Sequence, residues 1–150
     1  MIINGRSLLR CHPLAPMIDK KQKEHGVSYG LGEAGYDVRI KQGVWLNPQK
    51  RFALASTVEQ FTMPSHLVGI VHDKSTWARK GLSVFNTVIE PGWEGYLTLE
   101  LAYHGDEELV IPPNAGIAQV LFHALLEDAH YGDGKYQGQP DRPVEAKFKE

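Results

Sequence analysis

The chain has 150 residues, 42% hydrophobic and 23% charged, with a formal net charge of −2. That size and balance fit one domain over residues 1–150 with a packed core, and they exclude a surface built to coat nucleic acid. A single cysteine, Cys11, excludes an internal disulfide framework and any Cys-x-x-Cys metal site.

The first 16 residues, MIINGRSLLRCHPLAP, lack the apolar centre of a signal peptide, and no apolar run approaches membrane length. The expected setting is the cytoplasm, with no membrane partner. Residues 5–11 read as a short helix. From there, 15 glycines and 9 prolines punctuate short apolar runs, the pattern of a mostly β chain. Strands are expected at Tyr36–Ile40, Val44–Leu46, Arg51–Ala55, Val58–Met63 and Leu67–Val71. Further strands are expected at Leu82–Val88, Gly95–Tyr103, Glu108–Ile111 and Ile117–Ala124. In YLTLELAY, Leu97, Leu99 and Leu101 fall on one face, and Tyr96, Thr98 and Glu100 on the other. The polar, glycine-rich stretch 127–150 reads either as a frayed terminus or as a tail that closes over a ligand.

Between the fifth and sixth of these strands lies KSTWAR, residues 74–79. A turn entering a helix there, with Ser75 near its N-cap, presents unpaired N–H groups, two hydroxyls (Ser75, Thr76) and two cations (Lys74, Arg79). Arg79 follows Ser75 by four residues, so one helical turn puts both on one side. The segment is either a solvated turn or an anion cradle. Glu100, set among leucines, is either an outward carboxylate or a base in a shielded site. Trp93 in EPGWEG is either core or a wall of that site. The seven histidines form no close ligand pair, and one cysteine cannot supply the His/Cys/Cys set of a zinc deaminase. Walker and G-x-S-x-G motifs are missing.

Five stretches, in order, resemble the dCTP deaminase branch of the dUTPase-like superfamily. They are AGYDVRI (34–40), TMPSHLVGIVHDKSTWARKGLSV (62–84), IEPGWEGYLTLEL (89–101), IPPNAGIAQVLF (111–122) and GKYQGQ (134–139). The resemblance implies a distorted antiparallel β-barrel of jelly-roll type with short helices, assembled as a homotrimer with its sites between subunits. It implies Glu100 as general base, with Ser75 and Arg79 supporting the attacking water. By the same resemblance Lys74 and Thr76 meet phosphates, Glu90 the deoxyribose, and Thr98 and Leu99 the base. Tyr131, Lys135 and Gln139 fall on the closing tail. The implied substrate is a deoxynucleoside triphosphate carrying Mg²⁺, with no zinc and no metal held by the protein alone.

One departure keeps a second activity open. From Gly81 to Glu90 the chain takes nine steps, two fewer than the deaminases and equal to single-function dUTPases. Val88-Ile89-Glu90 then resembles the dUTPase V-I-D, with glutamate in place of the water-activating aspartate. Glu100 and Lys135-Tyr136-x-x-Gln139 are deaminase features. The expectation is therefore dCTP deamination to dUTP and ammonia. The alternatives are dUTP diphosphatase activity, a bifunctional enzyme, or a non-catalytic nucleotide-binding trimer.

Overall fold

The computed structural model describes residues 1–148; the last two positions of the expected closing tail lie outside them. The chain is mostly β. In order come β1 (Ile2–Ile3), α1 (Gly5–Cys11), β2 (Leu14–Ala15), β3 (Gln22–Glu24), β4 (Val27–Leu31), β5 (Tyr36–Arg39) and β6 (Val44–Leu46). Then follow β7 (Phe52–Thr62), β8 (Leu67–Asp73), α2 (Ser75–Ala78), β9 (Leu82–Val84), β10 (Val88–Ile89), β11 (Glu94–Tyr103), β12 (Leu109–Ile111) and β13 (Gly116–Ala124). Every ladder between these strands is antiparallel.

One sheet runs β10-β8-β13-β5-β4-β3, with β1 also on β13; a second runs β2-β7-β11-β9; β12 and β6 form a two-stranded ribbon. The inward faces meet in one core. Leu99 and Leu101 of β11, Phe61 of β7, Val38 of β5, and Val120 and Phe122 of β13 are fully buried there. No helix of the described residues is long and apolar enough to cross a membrane.

Three local readings change. The expected strands Arg51–Ala55 and Val58–Met63 are one strand, β7. Ser56 and Thr57 fall between the two expected strands, yet both are buried inside β7. The strand tolerates them because their hydroxyls are paired: Ser56 Oγ accepts from Gln42 Nε2, and Thr57 Oγ1 donates to the Glu59 carbonyl. The expected strand Leu82–Val88 is two short strands in different sheets, β9 on β11 and β10 on β8. In α2 the cap is Lys74, without a side-chain cap bond, and Ser75 is the first helical residue.

Opposite Leu97 the register of β11 against β7 shifts: Tyr96 pairs with Gln60, but Thr98 pairs with Ser56. Such a bulge bends the strand and re-aims side chains. The Leu97 N–H is caught by Thr57 Oγ1 at 3.1 Å instead of by a backbone carbonyl.

Candidate active site

Where the chain leaves β9 for β10, it opens a cavity of about 470 Å³ against β11. Its floor is Leu97, Thr98 and Glu100, and one wall is Asn86 to Glu90. The bulge explains how the neighbours Leu97 and Thr98 both line it. Asn86 ties wall to floor. Its Nδ2 donates to the Thr98 carbonyl at 2.7 Å, and its Oδ1 accepts the Glu100 N–H at 3.0 Å. The Phe85 N–H donates to the Glu100 carbonyl at 2.8 Å, so both backbone groups of Glu100 are held.

The Glu100 carboxyl is half-buried in this cavity, and its Oε2 has no hydrogen-bond partner among the described residues. Burial pushes its pKa above the ordinary carboxylate value, and a backbone hydrogen bond opposes this only in part. The other titratable side chains lining the cavity are Glu90, Tyr131, Tyr136 and Glu145. A shielded carboxyl with a raised pKa, lining a space of small-molecule size, is a candidate for proton transfer.

The tail supplies the remaining wall. Residues 136–139 run along the start of β11: the Gly138 N–H donates to the Glu94 carbonyl, and the Tyr96 N–H to the Gln139 carbonyl. Gly95, at φ 141°, permits this approach, because a Cβ there would lie 2.6 Å from the Gln139 nitrogen. Trp93 is buried and donates from Nε1 to the Tyr136 carbonyl at 2.7 Å. Gln139 is itself buried, and its Oε1 accepts from Thr98 Oγ1 at 3.4 Å. The Val144 N–H donates to the same hydroxyl at 3.1 Å. These residues thus form the remaining wall, held further out by an ion pair between Lys41 and Asp141.

Glu90, Thr98, Glu100, Tyr131 and Gln139 therefore converge within one chain. Ser75, Thr76 and Arg79 do not line this cavity; they are exposed on and after α2, and Arg79 borders a separate depression with Lys80 and Tyr103. Lys74 turns inward and donates to Asp37 Oδ2 at 2.6 Å and to Ser28 Oγ at 2.9 Å. Leu99 is fully buried with its side chain in the core. Lys135 is exposed beside the wall; its ammonium donates to the Lys147 carbonyl and sits over the Tyr136 ring. Sequence reasoning gave no site role to Asn86, Leu97 or Val144, and named Tyr136 only within the tail motif. The polar Asn86-Thr87 pair inside an otherwise apolar run was the available signal for the first.

The antiparallel sheets and cavity define a dUTPase-like fold, and solved structures agree. The EIAV dUTPase superposes with a TM-score of 0.58 at 17% identity, covering 81% of this chain and 98% of that one. A 2′-deoxycytidine 5′-triphosphate deaminase from Agrobacterium tumefaciens superposes with a TM-score of 0.61 at 13% identity, covering 86% and 50%. Within that fold the chain belongs to the dCTP deaminase-like family, whose model matches residues 12–125. It is 36% identical to a dCTP deaminase of Herpetosiphon aurantiacus over 84% of this chain and 86% of that protein. It is 34% identical to one of Helicobacter pylori over 84% and 85%.

Proposed function

We propose that the protein is a dCTP deaminase, converting dCTP and water to dUTP and ammonia. The observation that carries this reading is Glu100: a half-buried carboxyl on the cavity lining, whose burial raises its pKa and one of whose oxygens is without a partner among the described residues. Water attacks C4 of the cytosine, and Glu100 takes one of its protons as the C–O bond forms. That proton passes to N3, making a tetrahedral C4. Glu100 then moves the hydroxyl proton to the amino group, the C4–N bond breaks, ammonia leaves, and the carboxylate is restored. Thr98 and Gln139 present their polar groups to the base edge, Leu99 contributes only its main chain, and Glu90 at the mouth meets the sugar.

The assembly is a homotrimer in this reading, and Ser75 and Arg79 reach the site from a neighbouring copy. Their exposure on a helix outside their own chain's cavity supports this. There they hold the water and stabilise charge on the tetrahedral centre, while Thr76, Lys135 and the end of Lys74's helix face the phosphates. The substrate enters as its Mg²⁺ complex, and residues 127–150 act as the closing tail of one domain.

The nine-step hairpin and the place of Glu90 on the cavity wall favour dUTP diphosphatase activity as the second reading. Purified protein with Mg²⁺ and dCTP, or separately dUTP, decides between them. Ammonia from dCTP is expected, without pyrophosphate. Pyrophosphate from dUTP with no ammonia from dCTP would establish the second reading, both products a bifunctional enzyme, and tight binding without either product a non-catalytic module.

A further inference from the structure

Resting on the deaminase reading, we propose that Asn86 is the positioning residue for the Glu100 carboxyl: its side chain replaces main chain where β9 peels away from β11. The ladder pairs Leu101 with Val84 and Ala102 with Ser83. Continued by the antiparallel rule, it would pair Glu100 with Phe85 and Thr98 with Thr87, two hydrogen-bonding rungs. The Phe85 N–H still reaches the Glu100 carbonyl, but the return bond does not form. The Glu100 N–H goes to Asn86 Oδ1 instead of the Phe85 carbonyl. The Thr98 carbonyl takes Asn86 Nδ2 instead of the Thr87 N–H.

Thr87, just before β10, is by then turned to the other sheet, where its carbonyl accepts the Val71 N–H of β8. A carboxamide carries the donor and acceptor of one peptide group, so a single side chain supplies one bond of each rung. This lets the main chain switch sheets and open the cavity without leaving two backbone groups of its floor unpaired.

Glu100 depends on that anchor. Its Oε2 has no partner among the described residues, so no side-chain bond from them to that oxygen fixes the carboxyl. Its place in the cavity is set by the backbone from which it projects, and both polar groups of that backbone are held by residues 85 and 86. A small misplacement of a reacting group lowers rate far more than affinity.

Two variants test this, read by turnover and by NMR titration of ¹³C-labelled glutamate, with the Glu100 signal identified by its loss in Glu100→Gln. Asn86→Ala removes both side-chain bonds to β11. It should lower kcat on dCTP roughly 10- to 100-fold while KM stays within about twofold, and should expose the Glu100 amide to hydrogen exchange. Asn86→Asp keeps the acceptor for the Glu100 N–H, loses the donor, and brings a negative charge beside Glu100. The other carboxylates of the cavity, Glu90 and Glu145, and the phenols of Tyr131 and Tyr136 are unchanged. The Glu100 titration should therefore move to higher pH in Asn86→Asp.

A purely structural role would change melting temperature without splitting kcat from KM or moving the titration. Unchanged kcat in Asn86→Ala, or an unmoved Glu100 titration in Asn86→Asp, overturns the proposal. If Asn86→Ala does not fold, the titration of Asn86→Asp decides alone. The titration needs no turnover, so wild-type protein inert to dCTP would refute the deaminase reading while leaving the role of Asn86 to be settled separately.

Discussion

Replacing Glu100 with glutamine keeps the side chain's shape while removing its charge and its basicity. Activity and stability should then move in opposite directions. Loss of a general base lowers rate about 10²- to 10⁴-fold, so ammonia release from dCTP should fall by that factor while nucleotide affinity holds. Stability should rise at neutral and alkaline pH. Burial raises the Glu100 pKa, so in the window between the unfolded value, near 4.5, and the higher folded value the folded state binds the extra proton. Stability therefore falls as pH rises through that window, stays reduced above it, and carries no penalty below it. Glutamine has no proton to lose. An unpaired buried polar group costs about 1–3 kcal/mol and more when charged, and glutamine relieves only that charge-dependent excess. The half-exposed carboxyl keeps part of its hydration, which selects the lower end, about 1 kcal/mol. For a chain of this length that is a melting-temperature gain of about 2–4 °C at pH 8, shrinking to nothing near pH 4. Scanning calorimetry at pH 4, 6 and 8, beside an ammonia assay, reads both effects. Turnover within tenfold of wild type, or a lower melting temperature at pH 8, would refute the reasoning.

Lys74→Met should destabilise the nucleotide-free protein by about 3–5 kcal/mol, because it strands Asp37 in a nearly buried pair; an unchanged denaturation midpoint would mean that Lys74 is free to serve ligands. Gly95→Ala should displace the tail from β11 and weaken nucleotide binding about tenfold or more, as should truncation after Asp128; calorimetric titration reads both, and wild-type affinity in either would remove the tail from the site. Glu100→Gln and Ser75→Ala chains, each inactive alone, should regain about a quarter of wild-type activity when refolded together in equal amounts, since a quarter of the sites pair an intact Glu100 with a neighbour's intact Ser75. No regain would put both residues in one chain's site or none.

How much of this was legible in the sequence depends on what fixed each residue. Alternation alone put Thr98 and Glu100 on one face of β11 and Leu99 on the other, and the cavity lies on the first face. Helix α1 and most central strands follow from apolar period and glycine or proline punctuation. What alternation cannot encode is a change of partner. Ser56 and Thr57 looked like a break, yet the strand runs through them because distant groups satisfy their hydroxyls: Gln42 for Ser56, and the Leu97 N–H for Thr57. Residues 82–88 looked like one strand, yet a carboxamide at Asn86 lets them serve two sheets. The order of the tail rests on long-range bonds to Glu94, Tyr96 and Thr98, which no local composition announces. Lys74 read as a cation of a solvated turn or of an anion cradle; its partners, Ser28 and Asp37, are 46 and 37 residues away.

The separation of Arg79 from Glu100 within one chain bears directly on the chemistry. A base working near neutral pH needs a pKa well above that of a free carboxylate. Burial supplies that upward shift in the single chain. A guanidinium brought alongside by a neighbouring copy acts in the opposite sense, favouring the charged form. In the proposed trimer these two influences are set by different surfaces: burial by the fold around β11, and charge by the docking of α2. Removing the charge by Arg79→Ala should therefore leave burial unopposed. The Glu100 pKa then rises further, and the acid limb of the kcat/KM profile for dCTP moves to higher pH. At any pH on that limb the variant holds less ionised base than wild type, so part of its lost rate should return as pH is raised. A loss of rate that is constant across pH would assign Arg79 to transition-state charge alone. A limb that moves to lower pH would mean that Arg79 does not approach Glu100 in the assembly.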